Sequence, residues 1–147
     1  LLIENIYTNI VKTSRNKNFF LKLNVDDTVE GRFDLIILHS FVVFNFFIII
    51  NDKQSNLPQL LFDHMFSDFD SNLREMGFGD IAVNKRMKQF IKAFYGRISN
   101  YSKSLSQFKK LNDSTMLKET VAKNIYKDKG TEIKSINLLS KYIKYYG

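Results

Sequence analysis

His64 and Asp68 stand four residues apart, in a stretch that also carries Asp63 and Asp70. On a helix that spacing puts an imidazole and a carboxylate on one face, the beginning of a metal or acid–base site. A catalytic metal needs at least a third ligand from another element, and the Glu-x-x-His pattern of helical di-iron centres is absent. A solvated acidic face is the preferred reading, because exposed helix carboxylates are ordinary. The second candidate is the turn Gly77-Phe78-Gly79-Asp80, with Lys85 and Arg86 behind it. Glycine loops that cradle phosphate are fed by a β-strand. Here Leu61, Met65, Phe69, Leu73 and Met76 step by three and four into the turn, so a helix leads into it. Gly77 is placed to end that helix, and Asp80 or Asn84 to cap the next. Asp80 also lies within reach of Lys85 or Arg86, a pair that would fix the angle between the helices. The third candidate, His39, sits in the most apolar run without a partner in sequence, so a buried, hydrogen-bonded histidine is expected rather than a ligand or base. No catalytic, cofactor-binding or metal-binding residue is assigned.

The bulk of the chain bounds the rest. Its 147 residues contain no cysteine, which removes disulfides, zinc–thiolate sites, iron–sulfur clusters and thiol nucleophiles together. Pro58 is the single proline and glycine is scarce, which disfavours a turn-rich β fold and permits long helices. The net charge of +7 is unevenly placed. Residues 1–80 carry 7 Lys/Arg against 11 Asp/Glu (−4), whereas residues 81–147 carry 15 against 4 (+11). A basic half attracts anionic lipid or RNA. Lysine outnumbers arginine 17 to 5, however, and surface lysine is the default solvated residue, so a specific polyanion site is the less favoured reading. The chain starts Leu1-Leu2-Ile3 without Met, as a truncated or processed form would. Its first residues show no charged segment followed by an apolar one, so no signal peptide is expected in them.

The elements that must position these groups follow from periodicity. Ile3, Ile6, Tyr7, Ile10 and Val11 share one face of a short helix over Leu2 to Lys12. A connector follows from Asn16 to Thr28, with Phe19, Phe20, Leu21 and Leu23 as a patch that packs down and Asp26-Asp27-Thr28 as capping material. Phe33 to Ile50 is apolar nearly all round, the pattern of a buried central helix. A membrane span is disfavoured by its short length and by Asp34, His39, Ser40 and Asn45. After a polar loop at 51–56, Pro58 stands in the first turn of the next helix. Met87, Phe90, Ile91, Phe94, Ile98, Tyr101, Leu105 and Phe108 then mark the clearest helix. Two more runs, Thr115 to Tyr126 and Glu132 to Tyr146, are separated by Asp128 to Gly130. The last, with Lys on one side and Ile, Leu and Tyr on the other, is read as the closing helix of a bundle in preference to a membrane-surface helix. The expectation is one all-α domain over residues 1–147, about six helices around a central apolar one.

Three blocks carry more than periodicity. They are GRFDLIILHSFVVF (Gly31 to Phe44), LLFDHMFSDFDSNLREMGFGDIAVNKRMK (Leu60 to Lys88) and AFYGRISNY (Ala93 to Tyr101). Together they resemble the signature blocks of the ubiquinol–cytochrome c chaperone family, bacterial relatives of the mitochondrial assembly factors for the cytochrome bc1 complex. The lead-in IYTNIVKTSRNKNFFLKLNVDDTVEGRFD and the later AKNIYKD are similar to the family too, so the resemblance covers nearly the whole chain. Two departures stand out: Asn45-Phe46-Phe47-Ile48 replaces an expected basic end of the first block, and Asn84 stands where Pro or Gly is expected.

The resemblance implies an all-α fold and a non-enzymatic chaperone with no cofactor and no small-molecule substrate. Its client would be newly made cytochrome b or another bc1 subunit, an apolar helix of which suits a helical groove. A small partner protein and contact with the ribosome or an anionic membrane surface are implied as well. The setting would be the cytoplasmic periphery of the bacterial inner membrane, or the matrix side in a mitochondrion. The residues singled out are Arg32, Phe33, Asp34 and His39 from the first block, and Arg74, Glu75, Gly77, Gly79, Asp80, Lys85 and Arg86 from the second. Phe94, Tyr95 and Gly96 come from the third. A minority of them are expected to touch a partner, the rest to hold turns and core. The rival reading is a peripheral membrane or ribosomal-RNA binding module working through the basic C-terminal half.

Overall fold

A computed structural model describes residues 2–49, 56–128 and 133–147. Among these residues all regular structure is helical: α1 (Leu2–Ser14), α2 (Asn18–Leu21), α3 (Val29–Ile49), α4 (Leu57–Glu75), α5 (Asp80–Leu111), α6 (Thr115–Asn124) and α7 (Ile133–Tyr146). The expected all-α architecture and its six main helices are therefore present, and the connector adds one short turn of helix. Ile50, the loop at 51–55, Gly130 and Glu132 lie outside the described residues.

The centre is α3. Leu35, Ile37, Leu38, Ser40 and Phe41 are all at most 2% exposed, because α3 is packed by α1 and α5 and its buried His39 reaches α7. Thr28 opens it as expected: the Gly31 amide donates to Thr28 Oγ1 at 3.0 Å, which satisfies one of the orphan donors of the first turn. Gly31 is buried there, and a Cβ would lie well inside contact distance of the Asp26 backbone carbonyl. Backbone cannot step aside as a flexible side chain can. Gly31→Ala is therefore expected to destabilise the fold by about 1–3 kcal/mol, read from the urea midpoint.

The connector packs through α2: Phe19 and Val25 are buried and Asn24 turns the chain at φ +55°. On α4 the stripe Leu61, Met65, Phe66 and Leu73 is buried against α1 and α5. Met76, expected on that stripe, is instead the C-cap residue and 70% exposed. The chain then turns by a Schellman motif, in which the Phe78 amide donates to Leu73 O (3.2 Å) and Gly77 N to Arg74 O (3.0 Å). Gly77 supplies the φ of +95° that the motif needs. The next N-cap is Gly79, at φ −76° and ψ 169°, with no side-chain cap. Asp80 and Asn84 thus fall inside α5, since the turn closes at Gly79, ahead of both.

The 32-residue α5 is the spine, contacting α3, α4 and α6. It meets α6 through a buried hydroxyl pair, Ser104 and Thr120, 2.6 Å apart. On α7, Ser135, Leu139, Ser140 and Ile143 face the core, so this run does close the bundle, although Ile133 (77% exposed) and Tyr146 (58%) stand off it. No described helix is long and apolar enough to cross a membrane.

Candidate functional site

The polar residues that interrupt α3 organise the interior. Asp34 is 2% exposed, an ionisable group that only counter-charges could keep inside. Arg97 on α5 pairs with its Oδ1, and Lys127, just past α6, places Nζ 2.8 Å from its Oδ2. Burial works against the Arg97 charge and pushes its pKa down, opposed more weakly by Tyr101 and Glu30. Lys127 takes a left-handed φ of +54°, and Asp128 one of +53°. That conformation is unfavourable for residues with a Cβ, and Lys127 is held in it with its ammonium on both Asp34 and Asn124 O (2.7 Å). Beside the network Tyr101 is fully buried, and burial raises its hydroxyl pKa while the Arg97 charge opposes that. One carboxylate thus locks α3, α5 and the chain after α6.

His39, one and a half turns further along α3, is 6% exposed and fully engaged. Its Nδ1 lies 2.8 Å from Leu35 O and 3.1 Å from Ser14 Oγ, and its Nε2 lies 2.8 Å from the Tyr142 hydroxyl. Phe19 and Tyr142 meet its ring edge-on. Burial holds its pKa below the usual histidine value, outweighing the Leu35 carbonyl. A depressed folded pKa means that the unfolded chain binds the proton more readily. The corresponding stability is complete above about pH 6.5 and declines as the pH falls from there through the folded pKa. Urea unfolding between pH 7 and pH 5 should show this slope, and His39→Gln should remove that part of it.

The other residues singled out from sequence fall into two groups. Phe94 is interior and Phe33 is half-buried against the core. Phe33 meets Phe69 (5.5 Å between centroids) and Phe90 (4.7 Å), while Phe94 is 1% exposed among Phe44, Phe62, Phe66 and Tyr95. Arg32, Arg74, Glu75, Asp80, Lys85, Arg86, Tyr95 and Gly96 are all on the surface. Arg32 grips Asp27 with Nε (3.0 Å) and a terminal nitrogen (2.8 Å). Asp80 pairs with Arg74, which also holds Asp70 at 2.7 Å, and not with Lys85 or Arg86. The reason is local: Asp80 is the first residue of α5 and faces the end of α4, whereas Arg86 lies over the Phe78 ring at 4.4 Å. The expected lock between the helices exists, with a different cation. His64 and Asp68 share a neighbour, Tyr7, whose hydroxyl donates to Asp68 Oδ2 at 2.7 Å while its ring meets His64 edge-on. No group of three or more metal-ligating side chains occurs among the described residues.

Gly96 behaves differently from Gly31. It is exposed in mid-helix and a Cβ there meets nothing within 4 Å. Gly96→Ala is accordingly expected to stabilise the fold by about 0.8–1 kcal/mol, seen as a raised urea midpoint, because glycine is the poorer helix former. Its neighbour Tyr95 is 53% exposed and stacks on Phe62 at 5.0 Å.

Arg97 and Lys127 were not among the residues singled out from the sequence. Both lie in quoted segments, AFYGRISNY and AKNIYKD, so the available signal was that an Asp in the central helix required counter-charges from elsewhere.

Comparison with known proteins points one way. Residues 21–145 match the family model described as ubiquinol-cytochrome C chaperone. The crystal structure of the Cbp3 homolog from Brucella abortus is similar at 32% sequence identity with a TM-score of 0.79, over 97% of this chain and 76% of that one. No curated protein sequence gives a significant match.

Proposed function

The chain belongs to the ubiquinol–cytochrome c chaperone family, and from that premise we propose that it serves assembly of the cytochrome bc1 complex by binding, without catalysis. Its client in this reading is newly made cytochrome b, held in concert with a small partner protein at the membrane periphery. The observation that carries the reading is where the family blocks meet. Asp34 of the first and Arg97 of the third, with Lys127 of AKNIYKD, form one internal ion network. Charged groups consumed in holding helices together are not free to transfer protons or bind substrate, which supports a role through binding.

Deleting the gene and measuring cytochrome b and assembled bc1 complex tests the proposal. Both should fall, and normal levels of both would overturn it. Complementation with Gly96→Ala adds a surface probe: a variant that folds more stably yet fails to restore assembly places Gly96 and Tyr95 against a partner.

A second reading is favoured by the charge of α5. That helix carries eight Lys/Arg and a single acid, Asp80. Lys85, Lys88, Lys92 and Lys103 are exposed along it and make no ion pair among the described residues. Such a stripe suits an anionic membrane or ribosomal RNA. If binding to anionic vesicles or ribosomes vanishes with salt while cytochrome b levels are independent of the protein, this second reading replaces the first.

A further inference from the structure

The cavity between α1, α3 and α7 has a volume of about 500 Å³, within the range occupied by small-molecule ligands. Ile6, Ile10, Val43, Phe46 and Tyr146 form its apolar walls, and among the described residues its lining contains no Lys, Arg, Asp or Glu. A charged head group would be desolvated there without a counter-charge, so the site selects a neutral occupant.

The polar groups of the lining narrow the choice further. His39 and Tyr142 both line the cavity. Leu35 O, 2.8 Å from His39 Nδ1, can only accept, so Nδ1 carries the proton of the neutral ring, with Ser14 Oγ at 3.1 Å close to the same proton. Nε2 is then an acceptor, and the Tyr142 hydroxyl, 2.8 Å away, must donate to it. With its proton committed, the Tyr142 oxygen retains accepting capacity and offers no donor. A hydroxyl-bearing molecule can donate to it, whereas an ether or ketone cannot. Asn9, Thr13 and Tyr146, the other lining residues with donor groups, are exposed at the rim, where water competes for their bonds.

From this geometry we infer that the α1–α3–α7 cavity binds a neutral apolar molecule carrying a hydroxyl donor, of the alkylphenol class, with the hydroxyl on Tyr142 and the ring among Phe46, Tyr142 and Tyr146. Aromatic walls favour a ring, since edge-to-face and offset contacts add to the gain from burial. The inference is independent of the chaperone reading and stands whatever the client.

The test uses three probes of nearly the same shape: 4-heptylphenol, 4-heptylanisole and heptylbenzene. The anisole keeps the oxygen and loses the donor. The protein contains no tryptophan, so an Asn9→Trp variant places a single indole reporter at the rim of the cavity. Affinities from fluorescence titration are corrected for each probe's partition into octanol. The phenol should then bind roughly three- to tenfold tighter than either analogue, the fold-change that one net hydrogen bond supplies. Calorimetry on the protein without the reporter should give the same order. Ile6→Trp, which fills the cavity from its α1 wall, should weaken phenol binding at least tenfold with helicity unchanged, and Ser102→Trp on α5 should not. Equal corrected affinities, undiminished binding to Ile6→Trp, or quenching by an apolar helical peptide with none by the phenol would each overturn the inference.

Discussion

Asp34→Ala is expected to lower the unfolding free energy by about 3–5 kcal/mol, the range for breaking a buried ion pair from one side. The carboxylate is 2% exposed, while the side chains of its partners Arg97 and Lys127 are 23% and 32% exposed. Removing Asp34 strands two partly buried cations next to one another, so the loss combines lost attraction with new repulsion. Removing Lys127 alone should cost less, because Asp34 keeps Arg97 and Lys127 is the more exposed partner. Replacing all three residues with apolar ones of similar length should recover much of the loss, since a whole buried ion set exchanged for packed hydrocarbon is often close to neutral. Urea unfolding of the three variants supplies the comparison. A loss below about 1 kcal/mol for Asp34→Ala would mean that both cations reach water without it, and that the network does not organise the interior.

Phe94→Ala is the second large effect, about 3–5 kcal/mol, from deletion of a fully buried aromatic ring. Phe94 touches rings from two helices besides its own: Phe44 on α3 (6.0 Å between centroids), and Phe62 (5.6 Å) and Phe66 (5.4 Å) on α4. The Phe44 and Phe66 contacts are edge-to-face, with interplanar angles of 75° and 88°. Such pairs contribute beyond the area they bury. The cavity left by alanine has rigid aromatic walls and cannot collapse cheaply, which puts the cost at the upper part of the range. Phe94→Leu should cost markedly less in the same urea experiment, because it keeps most of the volume while losing the ring geometry. Equal losses for the two variants would show that ring geometry, rather than filled volume, carries the energy.

Helix positions were largely legible in the sequence because helical periodicity is a local signal. The stripe from Met87 to Phe108 on α5 and the all-round apolarity of α3 each required burial of a particular kind. The turn at Gly77 was legible for the same reason, since a left-handed backbone is a property of one residue. Partner choice was not. Asp80 has Lys85 and Arg86 close in sequence, yet Arg74 answers it, because the Schellman turn brings the end of α4 against the start of α5.

The candidate site divides along the same line. That Asp34 and His39 would be polar groups inside an apolar helix follows from the chain alone, as does the resemblance carried by the three blocks. Arg97 and Lys127 as the ions of Asp34, and Tyr142 as the partner of His39, lie 63, 93 and 103 residues away from them along the chain. No periodicity links such distant positions. Sequence determined which groups had to be satisfied, through the cost of burying them alone. Only the packing of α5, α6 and α7 around α3 decided what satisfies them, because hydrogen bonds and ion pairs act over a few ångströms of space and carry no memory of separation along the chain.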